Sequence, residues 1–170
     1  MDTSEFPKVG RRGVLLGAAG AAALGAGRVS AAEASGPALS HVFTIATPTK
    51  PPIVIGNAPR KRTIIPLDGG TVTGRLNGKV ISGDSWLETR DDGNIEYLVR
   101  YLIQARNGDI IADQARGFIR MAEKQGELYT KTFHDFEAPE GENAWLNRSS
   151  FIGHVVRVDG GRRIQVYEII

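Results

Sequence analysis

Turns interrupt this chain too often for long helices to form. From His41 onward, Gly-, Asn-, Asp- and Pro-rich steps cut it about every 8 to 12 residues, the spacing of short antiparallel strands. The cuts fall at Pro48 to Pro52, Gly56-Asn57, Asp68-Gly69-Gly70, Asn77-Gly78, Asp91-Asp92-Gly93-Asn94, Asn107-Gly108-Asp109 and Asp159-Gly160-Gly161. Asn-Gly and Asp-Gly steps supply the positive backbone angles that tight hairpins need. The runs between them are rich in β-branched and aromatic residues, which suit a pleated surface. They predict strands over 41–47, 53–55, 62–67, 71–76, 79–81, 84–90, 95–105, 110–120, 128–137, 150–158 and 163–169. Residues 121–126 read as a helical turn or irregular link, and 138–147 as a loop with a helical turn. No amphipathic helix longer than about two turns is evident, and no internal repeat.

Many short strands in one domain imply a two-sheet sandwich or a barrel. Closure removes exposed edges, and a barrel of about eight strands has room for its own side chains or one small ligand. With 170 residues, one domain is expected rather than two.

The first 31 residues read differently. Arg11-Arg12 precedes about 15 uncharged residues, mostly Ala, Gly and Leu, too short and too weakly apolar for a spanning helix. That is the pattern of a twin-arginine export signal. Cleavage is expected after Ala31, within small residues, leaving 32–40 as a flexible tether and 41–170 as the folded domain. The protein is then periplasmic or secreted, with no stable membrane insertion after cleavage. The net charge of +2 belongs to this leader, where Lys8, Arg11, Arg12 and Arg28 outnumber Asp2 and Glu5. The remainder is balanced and has one short basic cluster, Arg60-Lys61-Arg62. Nucleic acid, which requires a basic face, is not an expected partner.

There is no cysteine, so disulfides and thiolate sites are excluded. His41, His134 and His154 lack metal-ligand spacing. No phosphate-binding loop and no nucleophile elbow is present. Neither metal nor cofactor is expected.

Period-two alternation sorts the remaining candidates by face. Asp84, Trp86, Glu88 and Arg90 share one face of their strand; Val99, Tyr101 and Ile103 lie opposite Arg100, Leu102 and Gln104. Tyr129, Lys131, Phe133 and Asp135 lie opposite Thr130, Thr132, His134 and Phe136. A small-molecule pocket needs an apolar wall with few polar groups. Trp86, Tyr101, Tyr129, Phe133, Phe136 and Trp145 can supply that wall, or can fill a core. Asp84 beside Trp86 is a candidate acid or base, since desolvation favours proton transfer near neutrality; it can equally cap the turn at Gly83. His134 is a candidate proton shuttle. Glu137 and Asn147 can fix the Trp145 loop. Arg62 and Arg100 can clamp a substrate carboxylate or form structural ion pairs.

The ordered set Gly56, Arg62 to Leu67, Gly69-Gly70, Gly74, Gly78, Gly83-Asp84 with Trp86, Asp92-Gly93, Arg100-Tyr101, Gly108, Gly117 and Trp145-Leu146-Asn147 resembles the DUF3237 (UPF0311) family over residues 41–170. The resemblance implies an all-β fold, a single antiparallel barrel of about eight strands similar to allene oxide cyclase and dirigent barrels. It also implies a cofactor-independent lyase, decarboxylase or isomerase acting on a small aromatic compound such as a lignin-derived phenolic. The family's GPxLxG and PGGADW stretches stand here as Gly74 to Gly78 and Ser82 to Trp86, the latter one residue shorter, and His134 stands where proline is expected.

In that reading Asp84, Tyr101, Tyr129 and His134 do the chemistry. Arg62, Trp86, Arg100, Phe136, Trp145 and Asn147 hold the substrate. The alternatives are a non-catalytic binding protein for an aromatic or apolar ligand, and a structural barrel that forms a homo-oligomer. The leader carries its own test: exchanging Arg11-Arg12 for Lys-Lys is expected to hold the precursor in the cytoplasm, and undiminished export on cell fractionation would refute the twin-arginine assignment.

Overall fold

The computed structural model describes residues 36–48, 50–56, 61–120 and 129–170. The leader with its cleavage site, residues 32–35 of the tether, residues 57–60 and the link expected at 121–126 lie outside the described residues; Leu39 and Ser40, expected in the tether, begin the first strand.

The described residues form ten strands: β1 (Leu39–Pro48), β2 (Ile53–Ile55), β3 (Lys61–Pro66), β4 (Thr71–Gly74), β5 (Gly78–Thr89), β6 (Ile95–Ala105), β7 (Ile110–Arg120), β8 (Tyr129–Glu137), β9 (Phe151–Val158) and β10 (Gly161–Ile169). A 3₁₀ turn, Ala144–Arg148, lies between β8 and β9. The order β5-β4-β1-β10-β9-β8-β7-β6 is closed by pairing of β6 with β5, giving an eight-stranded antiparallel barrel. β3 and β2 extend the wall beside the second half of β5.

Two of the expected turns break strands without reversing them. β3 and β4 run one after the other along β5, separated at Gly69 and Gly70, which take φ of 78° and 131°. Pro48 to Pro52 separates β1 from β2 in the same way, since proline cannot donate to a ladder.

One expectation is corrected. The runs at 79–81 and 84–90 belong to a single strand, β5. Its register against β6 shifts between Val80 and Ser82, which makes Ile81 a bulge. Gly83 does not end the strand, because the Arg100 carbonyl packs where a β-carbon would stand. An extra residue inverts the alternation downstream of it. Val80 faces in opposite Ile103; beyond the bulge Ser85 faces in opposite Val99, and Leu87 opposite Tyr97. Asp84, Trp86 and Glu88 are thereby turned to the outside.

One end of the barrel is filled. Phe43, Phe136, Phe151 and Trp145 meet edge to face, with ring centroids 5.2 to 6.3 Å apart. Leu76, Ile103, Ile111, Leu146 and Val166 are fully buried beside these rings, and Trp145 is half-buried. The inner positions nearer the other end are smaller: Ser85, Ala115, Gly117 and Gly153. Phe43 is 0% exposed and Phe133, on the outer face, is 68% exposed. Chemical denaturation is therefore expected to show a loss of about 3–5 kcal/mol for Phe43→Ala and under about 1 kcal/mol for Phe133→Ala. Equal losses would mean that the inner and outer faces are misassigned.

Candidate functional site

Above the aromatic plug the barrel encloses a cavity of about 640 Å³, within the range of small-molecule sites. Ile65, Leu87, Val99, Val155 and Ile164 give it an apolar wall. Its polar groups come from inward positions on neighbouring strands: Tyr97 and Tyr101 from β6, Thr130, Thr132 and His134 from β8, and Arg162 from β10.

His134 is held at both ring nitrogens. Nδ1 lies 2.9 Å from Asp113 Oδ2 and 3.1 Å from Oδ1. Nε2 lies 2.8 Å from Thr132 Oγ1. The side chains of His134 and Asp113 are 1% and 0% exposed, so each is the other's main compensation for leaving water. A carboxylate only accepts, which assigns the proton of a neutral ring to Nδ1 and leaves Nε2 to accept from the Thr132 hydroxyl. The ring stacks on Phe136, 5.7 Å between centroids and 8° from parallel. A β-carbon at Gly153 would overlap both Thr132 Oγ1 and His134 Nε2, so glycine there makes room for the pair. Gly117 does the same for the Tyr97 ring, whose hydroxyl reaches across β7 to the Lys131 carbonyl at 3.4 Å.

Tyr101 is buried and in register with Asp113. Burial, then the Asp113 charge, pushes its phenol well above the ordinary value, against a smaller opposing pull from Arg162. Burial also raises Tyr97, again opposed by Arg162. Both are neutral hydrogen-bond donors near pH 7.

The residues singled out in the sequence are dispersed. Tyr101 and His134 reach the cavity, with Phe136 beneath His134. Asp84 and Arg100 form a bidentate pair on the outer wall, with bonds of 3.1 and 2.8 Å. That hydrogen bonding, and then the Asp84 charge, holds the Arg100 guanidinium above its ordinary pKa. Arg62, Trp86 and Tyr129 line a separate outer groove. There Arg62 donates to Glu88 at 3.0 Å and lies 5.9 Å from the Trp86 ring centroid. Trp145 belongs to the plug, with the Arg75 guanidinium 3.8 Å from its ring centroid. Asn147 clamps its loop through two 2.8 Å bonds to the Ala138 backbone. The sequence reading missed Asp113, Thr132 and Arg162. Alternation would have found Asp113, which shares the inward face of β7 with Ile111 and Ala115.

Comparison with known proteins followed the same architecture. The model of the DUF3237 family, described as a protein of unknown function, matches residues 37–169. No curated protein matches the chain. A solved protein of unknown function from Clostridium acetobutylicum is similar at 25% identity and a TM-score of 0.73, over 79% of this chain and 99% of its own. A beta-barrel like protein from Acinetobacter baumannii is similar at 24% identity and TM-score 0.72, over 79% and 96%. A protein from Penicillium herquei, described as an enzyme, is similar at 20% identity and TM-score 0.64, over 80% and 96%. At these identities the last two establish the shared fold.

The phenol environments give a measurable consequence. In an alkaline absorbance titration, Tyr97 and Tyr101 are expected to ionise well above the ordinary 10.0. The stability that the two neutral phenols contribute is complete below that value and is lost as pH rises through their elevated values. Tyr101→Phe should remove amplitude from the high-pH limb only. Loss of amplitude near pH 10.0 instead would put this phenol in water.

Proposed function

Because the chain belongs to the DUF3237 family, barrels without an assigned activity, we propose from its own interior that it is a cofactor-independent lyase or isomerase acting on a small aromatic molecule. One observation carries this reading: a carboxylate, an imidazole and a hydroxyl are hydrogen-bonded in series, Asp113 to His134 to Thr132, at the wall of a hollow whose sides are largely apolar. The series ends on a hydroxyl that itself lines the hollow, so the carboxylate and the imidazole are connected to the space a substrate would occupy.

The sequence of steps is a proton transfer beside a carbonyl. The substrate C–H bond breaks, and its proton passes through the Thr132 hydroxyl to His134 Nε2. Asp113 stabilises the imidazolium that forms. The electron pair moves into an enolate, whose oxygen accepts from the neutral Tyr101 hydroxyl. Return of the proton at another carbon completes an isomerisation. Expulsion of a β-substituent, which takes up that proton, completes an elimination. The apolar walls exclude water and hold the reacting atoms against the relay. The description of the Penicillium herquei neighbour as an enzyme is in keeping with chemistry in such a barrel. Asp84 and Tyr129, turned outward, have no part in it. Export by the twin-arginine leader would set the activity outside the cytoplasm.

The hydrogen bond from Thr132 to Nε2 favours one further reading, a binding protein whose buried histidine serves only to hold the wall. Aromatic ketones and enones incubated with the full chain in D₂O separate the two. Catalysis predicts deuterium at the carbon next to the carbonyl, seen by NMR. His134→Asn and Asp113→Asn should slow exchange about 10²–10⁴-fold, and Tyr101→Phe should slow it less. Bound probes released without deuterium by folded wild-type protein would leave binding alone.

A further inference from the structure

The alternation that lines the hollow continues to its mouth. On β10, Val166 and Ile164 face inward and are buried, and Arg162 is the next residue on that face. On β9, Phe151, Gly153 and Val155 point the same way, and Arg157 follows them. The register between these strands is unbroken and sets Arg157 directly opposite Arg162. Both residues line the hollow.

Two like charges facing each other across adjacent strands repel. Neither arginine makes a salt bridge with a described residue, although seven other basic side chains, including Arg62, Arg75, Arg90, Arg100 and His134, do. No Asp or Glu lines the hollow among the described residues. The Arg162 charge acts inward, since it bears on both Tyr97 and Tyr101. A second, independent feature lies in the same lining: Thr130 is 3% exposed, and its hydroxyl has no hydrogen-bond partner. The hollow thus presents a part-buried cation, Arg162, an exposed one at its rim, Arg157, and an unused hydroxyl, and supplies no carboxylate to pair with them.

Resting on the hollow as the binding site, we propose that its ligand is a small aromatic carboxylate, with the charged end held at the mouth by Arg162 and Arg157. A planar carboxylate matches the guanidinium fork with two parallel bonds. A phenolate offers one oxygen and leaves most of the two forks unused. The Thr130 hydroxyl donates to the same end of the ligand. This arrangement fixes the direction of entry: the carboxylate stays at the mouth, and the aromatic body points down the barrel toward His134 and Tyr101.

The test uses cinnamate and 3-phenylpropanoate as probes, each beside its methyl ester, with calorimetry on the full chain at neutral pH. The acids are expected to bind at least about tenfold more tightly than the esters, the scale of a charge-assisted bidentate contact. Arg162→Met should erase that preference while ester binding stays. Arg162→Lys should restore part of it, and Arg162→Gln serves as the neutral variant should the methionine protein fail to fold. Equal affinity for acids and esters in the wild type would overturn the carboxylate assignment and leave the hollow as a binding site. A preference that survives loss of the Arg162 charge would overturn it too. Failure of both series to bind would remove the binding site along with the carboxylate.

Discussion

An eight-stranded barrel has room for little more than its own inward side chains, and here those side chains are shared unevenly. Four aromatic rings crowd one end, while Ser85, Ala115, Gly117 and Gly153 occupy inner positions toward the other. The plug supplies the apolar burial that stabilises the closed sheet. The small residues give up part of that burial and leave a hollow. Everything proposed for the chain depends on this division. With a large side chain at Gly153, the space that Thr132 and His134 occupy would be gone.

Burying Asp113 and His134 beside the plug has a cost that only mutual pairing offsets. The pair sits where four inner positions converge: Asp113 next to Tyr101, and His134 flat on Phe136. The His134 ring is held by Asp113 on β7 and by Thr132 and Phe136 on its own strand, so its orientation does not rely on a loop. A site built on strand positions holds its geometry more tightly than one on mobile connections.

Much of this was legible in the chain. Turn dipeptides located β6 and β7 to the residue, and period-two sorting put Tyr101 and His134 on their correct faces. The misplacing of Asp84 and Trp86 traces to one residue. Ile81 is an extra member of β5, and nothing in Ser82-Gly83-Asp84 announces that the pleat changes phase before Asp84. Asp84 and Trp86 therefore looked like a pocket acid and its wall, although the bulge points them outward. Arg62 and Arg100 pair with Glu88 and Asp84 on that same outer side of β5, the structural ion pairs that the sequence also allowed. Barrel closure was beyond local reading as well. It rests on pairing of β5 with both β4 and β6, and turn spacing fits a sandwich equally well. Asp113 was legible in principle, but an acid soon after Asn107-Gly108-Asp109 reads as part of the turn.

The charges inside the barrel are ordered along its length. The one inward carboxylate among the described residues that adjoins the hollow, Asp113, lies behind His134 near the plug, while Arg157 and Arg162 stand at the rim. In a low-dielectric enclosure such an arrangement acts over greater distances than on a wetted surface. It draws an anion to the rim and resists carrying that charge down to Asp113. A molecule with a charged head and a neutral ring therefore has one favourable orientation, head outward and ring inward. The apolar wall and the neutral phenols of Tyr97 and Tyr101 enforce the same orientation, since they receive a ring well and a second charge badly. Orientation thus follows from the order of residues along β7 and β10.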